Sequence, residues 1–127
     1  MVGRGEQLED VLKGFVEKNP DLRAVVVITP EGLPLVSTVS DPAEEEELAA
    51  SAGLTLTLAE RASEIMNGGP PREIILRGEN AYQLFFPLKG GGGVSVFANP
   101  ESKLGILLYE LRKMVDKLTN SMEEGVL

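Results

Sequence analysis

The chain reads as an α+β fold, an α/β sandwich of three helices on a five-stranded antiparallel sheet. Three observations predict it. Helical and strand periodicities follow one another in the order helix, strand, strand, helix, strand, strand, strand, helix. The connections are short, which favours antiparallel neighbours. The first and last helices each carry one apolar stripe and would lie together on one face of the sheet, with the long central helix covering the other. At 127 residues, the chain is expected to form a single domain over residues 1–127, large enough to bury about two-thirds of its unfolded surface.

Leu8, Val11, Leu12, Phe15 and Val16 recur at helical spacing, and the pattern stops at Asn19-Pro20. Residues 24–29 contain Val25-Val26-Val27-Ile28, a β-branched run too short for a helix buried all round. Pro30-Glu31-Gly32 supplies a turn, and residues 33–38 return as a second strand, closing a hairpin. Pro34 predicts that this strand is an edge, where a missing ladder donor does little harm.

The long helix spans 41–66. Asp41 is its cap, Pro42 suits the first turn, and Glu44 stands where it completes a capping box. The run Glu44-Glu45-Glu46-Glu47 admits a calcium or magnesium reading, but consecutive helical residues fan round the axis and do not converge on one ion. Its expected role is negative charge at the positive end of the helix dipole. Asn67-Gly68-Gly69-Pro70-Pro71 tolerates a left-handed cap and then forbids continuation.

Three strands follow at 73–77, 82–88 and 94–98, joined by Gly78-Glu79-Asn80 and by Lys89-Gly90-Gly91-Gly92-Gly93. Glycines in series invite a phosphate cradle, but they lead into a strand and no Lys-Ser or Lys-Thr follows, so a flexible hairpin connection is predicted. Asn99 is expected to cap, and Pro100 to begin, a last helix striped by Leu104, Leu107, Leu108, Leu111, Met114, Val115 and Leu118. Residues 119–127 are expected to fray.

Composition excludes much chemistry. A net charge of −8 opposes binding to a phosphate backbone, so no nucleic-acid partner is expected. With no Cys and no His, thiolate nucleophiles, thiolate zinc sites and the commonest general base are absent. Catalytic residues, metal ligands and cofactor-binding residues are therefore all predicted to be none. No apolar run approaches the roughly 20 residues of a membrane span, and the first residues lack the apolar core of a signal peptide. Membrane insertion is not expected, and a cytoplasmic location is.

In the long helix Leu48, Ala52, Leu54, Leu56, Leu58, Ala59, Ala62, Ile65 and Met66 spread over about 220° at about 100° per residue. A surface helix needs a stripe little over about 100° wide. The surplus predicts a second copy of the chain as cover. The small residues Ala49, Ala50, Ser51, Ala52, Gly53 and Ala59 would let two such helices approach closely, with Ala52 facing the partner.

The chain resembles the roadblock (dynein light chain) family, in particular its MglB-like prokaryotic members. The likeness rests on Leu22-Arg23-Ala24-Val25-Val26-Val27-Ile28 followed by Glu31-Gly32-Leu33-Pro34-Leu35, on the Ala- and Leu-rich helix, on Phe86-Pro87-Leu88 and on Leu104-Gly105. It implies a profilin-like sandwich and a homodimer, or a heterodimer with a paralogue. The long helices would pack together through Leu48, Ala52, Leu56, Ala59 and Ser63, and the third strands would pair through Glu73, Ile74, Ile75, Leu76 and Arg77. It further implies binding to a Ras-like small GTPase, whose turnover a non-enzymatic partner of this kind modulates. The polar strip Thr57, Glu60, Arg61 and Glu64 is then the expected docking surface, with a plain solvated face as the alternative. An arginine-finger role for Arg61 is outweighed by the frequency of surface arginines. Two other readings stand beside this one: a passive scaffold tethering a GTPase or motor component, and a ligand sensor with a cavity near Tyr82, Phe85, Phe86 and Phe97, rings that otherwise serve as core.

Overall fold

The computed structural model describes residues 4–124. The elements run α1 (Arg4–Lys18), β1 (Leu22–Ile28), β2 (Pro34–Ser37), α2 (Pro42–Ile65), β3 (Ile74–Arg77), β4 (Tyr82–Pro87), β5 (Gly93–Ala98) and α3 (Leu104–Glu124). The five strands form one antiparallel sheet in the order β2-β1-β5-β4-β3. The predicted α+β architecture, three helices on a five-stranded antiparallel sheet, is the observed one.

Strand alternation divides the core in two. Val25, Val27, Leu84, Phe86, Val94 and Val96 point to one face, which α1 and α3 cover with Leu8, Leu12, Phe15, Leu107, Leu111, Met114 and Leu118. Val26, Ile28 and Phe85 point to the other, under Ala49 and Ala52 of α2. The rings separate accordingly: Tyr82 and Phe86 pack with α1 and α3, and Phe85 and Phe97 pack under α2. The four rings that the sensor reading groups together thus lie on opposite faces of the sheet, each packed against a core cluster.

Small residues position α2. Ala49 and Ala52 let it lie close on the sheet, and a Cβ on Gly53 would come within 3.4 Å of Gly32 Cα at the β1–β2 turn. Ala49 and Ala52 therefore bring the helix onto its own sheet, and Ala52, expected to face a partner helix, is fully buried there. Asp41 caps α2 by accepting from Ala43 N at 3.2 Å. The acid that reaches back is Glu45, which accepts a hydrogen bond from Ser37 Oγ of β2, and not Glu44. At the other end Gly68 N donates to Ser63 O at 2.8 Å and Asn67 N to Glu64 O at 3.1 Å. With Asn67 at φ 55°, this is the paired-bond left-handed ending that Asn67-Gly68 predicts.

Two boundaries move. Asn99 does not cap α3: its side chain accepts from Arg23 Nε at 2.6 Å and its N–H donates to Asp21 O, so residues 99–103 turn and the helix starts at Leu104. At its other end α3 continues to Glu124, because buried Leu118 holds its last turns against the core, where fraying from Thr119 is expected. The rest of the expected tail, residues 125–127, lies outside the described residues.

Candidate protein-interaction surface

The outer face of α2 is apolar. Leu54, Leu58 and Ile65 are 62%, 61% and 67% exposed. With Arg61 they recur at intervals of four, three and four residues, which confines them to an arc of about 60° at about 100° per residue. Met66 extends the exposed apolar surface at the end of the helix. Water-exposed Leu and Ile in a continuous stripe mark a surface built to be covered.

The predicted helix contacts lie on the opposite side. Ala52 is 0% exposed beneath the sheet, and Leu48 and Leu56 pack half-buried around it. Ala59 is half-buried. Ser63 is buried and donates a hydrogen bond to Gly69 O. Five residues assigned to a helix pair thus sit on or beside the inner face. The reason is periodicity: Ala52, Leu56 and Ser63 lie about half a turn from Leu54, Leu58 and Ile65. The sequence shows two apolar faces, and the sheet takes the one rich in small residues. The 4-3-4 spacing of the outer stripe was the available signal.

Of the proposed docking strip, Thr57, Glu60, Arg61 and Glu64 are all exposed. Thr57 Oγ1 donates to Gly53 O at 3.0 Å. Arg61 lies within the apolar stripe and pairs with Glu64 at 3.2 Å, an exposed i,i+3 contact of small energetic consequence. Glu60 and Glu64 line an open cleft of ≈ 470 Å³ with Asn67, Gly69, Pro70 and Pro71.

β3, which holds most of the expected seam residues, is an edge strand. Ile75 and Leu76 are exposed, Ile74 is half-buried beneath α2, and Arg77 stacks over the Tyr82 ring at 5.6 Å. Glu73, just before the strand, is held by α3: Arg112 Nε and Nη2 donate to its two oxygens at 2.7 and 2.9 Å. Hydrogen bonds from Arg112, aided by its charge and opposed by partial burial, hold the Glu73 carboxyl below its ordinary value.

Beneath α2 runs a polar connection that the sequence reading missed. Thr55 Oγ1 lies 3.0 Å from Gln83 Oε1, and Gln83 Nε2 donates to Ser95 Oγ at 3.2 Å. Gln83 within Tyr82-Gln83-Leu84-Phe85-Phe86 is the only polar residue of that apolar run, and it signals this satisfied buried amide.

The glycine loop has a steric explanation. A Cβ on Gly92 would lie 2.1 Å from Ile28 O, and one on Gly93 would lie 2.5 Å from the Phe85 ring. Gly90, Gly91 and Gly92 adopt positive φ. Among the described residues no three carboxylates converge on a possible metal position, and no helix is long and apolar enough to cross a membrane.

The Roadblock/LC7 domain family matches residues 8–90, more than half of the chain. No curated protein matches it. Among solved structures, a Roadblock/LC7 domain from Streptomyces avermitilis superposes with a TM-score of 0.83 at 21% identity, covering 91% of this chain and 97% of that one. MglB from Myxococcus xanthus does so at 0.83 and 14% identity, covering 95% and 91%. The gliding protein MglB from Thermus thermophilus gives 0.84 and 14% identity, covering 98% and 94%. At these identities the likeness is one of fold; together with the match over residues 8–90, the sheet order and the sandwich described above, it means that this chain belongs to the Roadblock/LC7 domain family.

Proposed function

We propose that the chain is a dimeric, non-catalytic regulator of a Ras-like small GTPase in the cytoplasm. The observation that carries the dimer is the outward stripe Leu54, Leu58 and Ile65, which the chain's own core leaves in water. Two such stripes meeting across a two-fold would bury it. The exposed polar flank Thr57, Glu60 and Glu64, with Arg61 beside the stripe, then lies next to the same flank of the second copy and forms one composite docking face. Membership of the Roadblock/LC7 family and the fold shared with MglB support the partner class. A regulator of this kind reshapes the GTPase's own switch segments, so it needs no catalytic side chain.

The test is to measure mass in solution while titrating a panel of Ras-like GTPases and following phosphate release. The expected result is a dimer that changes release by one of them. Co-elution with unchanged release would make the chain a tether, and a monomer at high concentration would remove the composite face altogether.

A further inference from the structure

We infer that the pocket between the end of α1 and the start of α3 binds a small organic anion, a carboxylate or phosphate whose charged end is held by Ser102 and by the bare N–H groups of Leu104, Gly105 and Ile106. The pocket contains no residue of α2 or β3, so this site stands or falls separately from the dimer proposed above.

Two independent observations meet there. The first is the helix start. Asn99, locally a good cap, gives its side chain to Arg23, and the first helical bond runs from Leu107 N to Lys103 O at 2.9 Å. Lys103 therefore holds the cap position, and its side chain has no acceptor to offer. No acidic residue stands in the first turn. Among the described residues nothing accepts from the N–H groups of Leu104, Gly105 or Ile106, and Gly105 carries no side chain to screen them. These groups form the positive end of a helix of 21 residues, where an anion is stabilised.

The second observation is Ser102, one residue before the cap. It lines the pocket, is 9% exposed, and its Oγ is the only buried side-chain polar atom without a hydrogen-bond partner among the described residues. Buried hydroxyls left in that state are uncommon in folded chains. An oxyanion on the helix start would accept from this hydroxyl and from the free N–H groups together, giving a partner to both.

The walls set the size and class of the ligand. The pocket has a volume of ≈ 240 Å³, several times the roughly 30 Å³ that one water takes up in the liquid. Pro20, Leu22, Ile106 and Leu107 supply an apolar side, which suits a short carbon body attached to the charged group. Exposed Lys18 and Lys103 are balanced by exposed Asp21 and Glu101, so the helix end decides the sign of the preferred ligand.

The test is to titrate the isotope-labelled full chain with acetate, butyrate and inorganic phosphate at constant ionic strength, following backbone amide resonances. Expected are saturable shifts centred on residues 102–106 at millimolar concentrations, with butyrate binding more tightly than acetate because its tail lies on Leu22 and Leu107. Saturation by a carboxylate or by phosphate supports the site, and the tighter of the two names the head group. Ser102→Ala is expected to weaken binding about tenfold, the loss of one hydrogen bond to a charged group. Glu101→Gln is expected to strengthen it by removing an opposing charge. Without any probe, Ser102→Ala should keep the urea midpoint of the parent chain, which a purely structural hydroxyl would not allow. Shifts that spread over the surface or never saturate would overturn the site. Equal binding by Ser102→Ala, or a lowered midpoint of that variant without a probe, would overturn it as well.

Discussion

Gly92 occupies a place where no side chain fits. Its φ of +70° and the 2.1 Å approach of a Cβ to Ile28 O combine strain with a clash against backbone. Gly92→Ala is expected to cost about 1–3 kcal/mol or more, read as a lower urea midpoint. Gly90, with open space around it, should tolerate alanine better, limited by its positive φ alone. Glu73 governs a different property. Because the hydrogen bonds from Arg112 hold its folded-state pKa below the ordinary carboxylate value, the folded chain binds that proton more weakly than the unfolded chain does. The pair therefore adds stability above the ordinary carboxylate range and loses it as pH falls through the folded value. Acid titration of Glu73→Gln followed by circular dichroism should show a shallower loss of stability below about pH 4.5 than the parent chain.

At the scale of elements, α2 carries two apolar faces with opposite duties. On the inner face Ala52→Arg would force a charged side chain under the sheet and should unfold the domain, instead of merely separating two copies. On the outer face Leu58→Asp meets only water in one chain and should leave the melting temperature of the monomer nearly unchanged. Sedimentation is expected to show that the same change abolishes the proposed dimer. The contrast between the two variants separates packing from association. Existence and order of all eight elements were legible in the sequence because periodicity and turn chemistry are local. The start of α3 was not: Asn99 is a good cap locally, but Arg23 from β1 takes its side chain and Asp21 takes its N–H.

For the whole molecule, the sheet order β2-β1-β5-β4-β3 places two short strands at the margins. Pro34 marks one of them and weakens it as a pairing edge. β3 has no such device and presents Ile75 and Leu76 to water. The open edge and the outer stripe of α2 thus leave apolar surface that one chain cannot cover. On this basis a Leu54→Asp, Leu58→Asp double variant is expected to lose both dimerisation and any effect on GTPase turnover while remaining folded. Loss of turnover control from an intact dimer of Thr57→Ala, Glu60→Ala would instead locate the docking face on the polar flank.

By itself the sequence determined the sandwich, the hairpins, the Asp41 cap, the left-handed ending at Asn67 and the presence of surplus apolar surface on α2, all of which follow from patterns within a few residues. Only the tertiary structure decided which of the two apolar faces of α2 turns inward. A helix with grease on both sides has no local preference between them. The choice fell to close approach: Ala49 and Ala52 over the sheet and Gly53 against Gly32 fit where leucines would not, and Leu54, Leu58 and Ile65 were left outside.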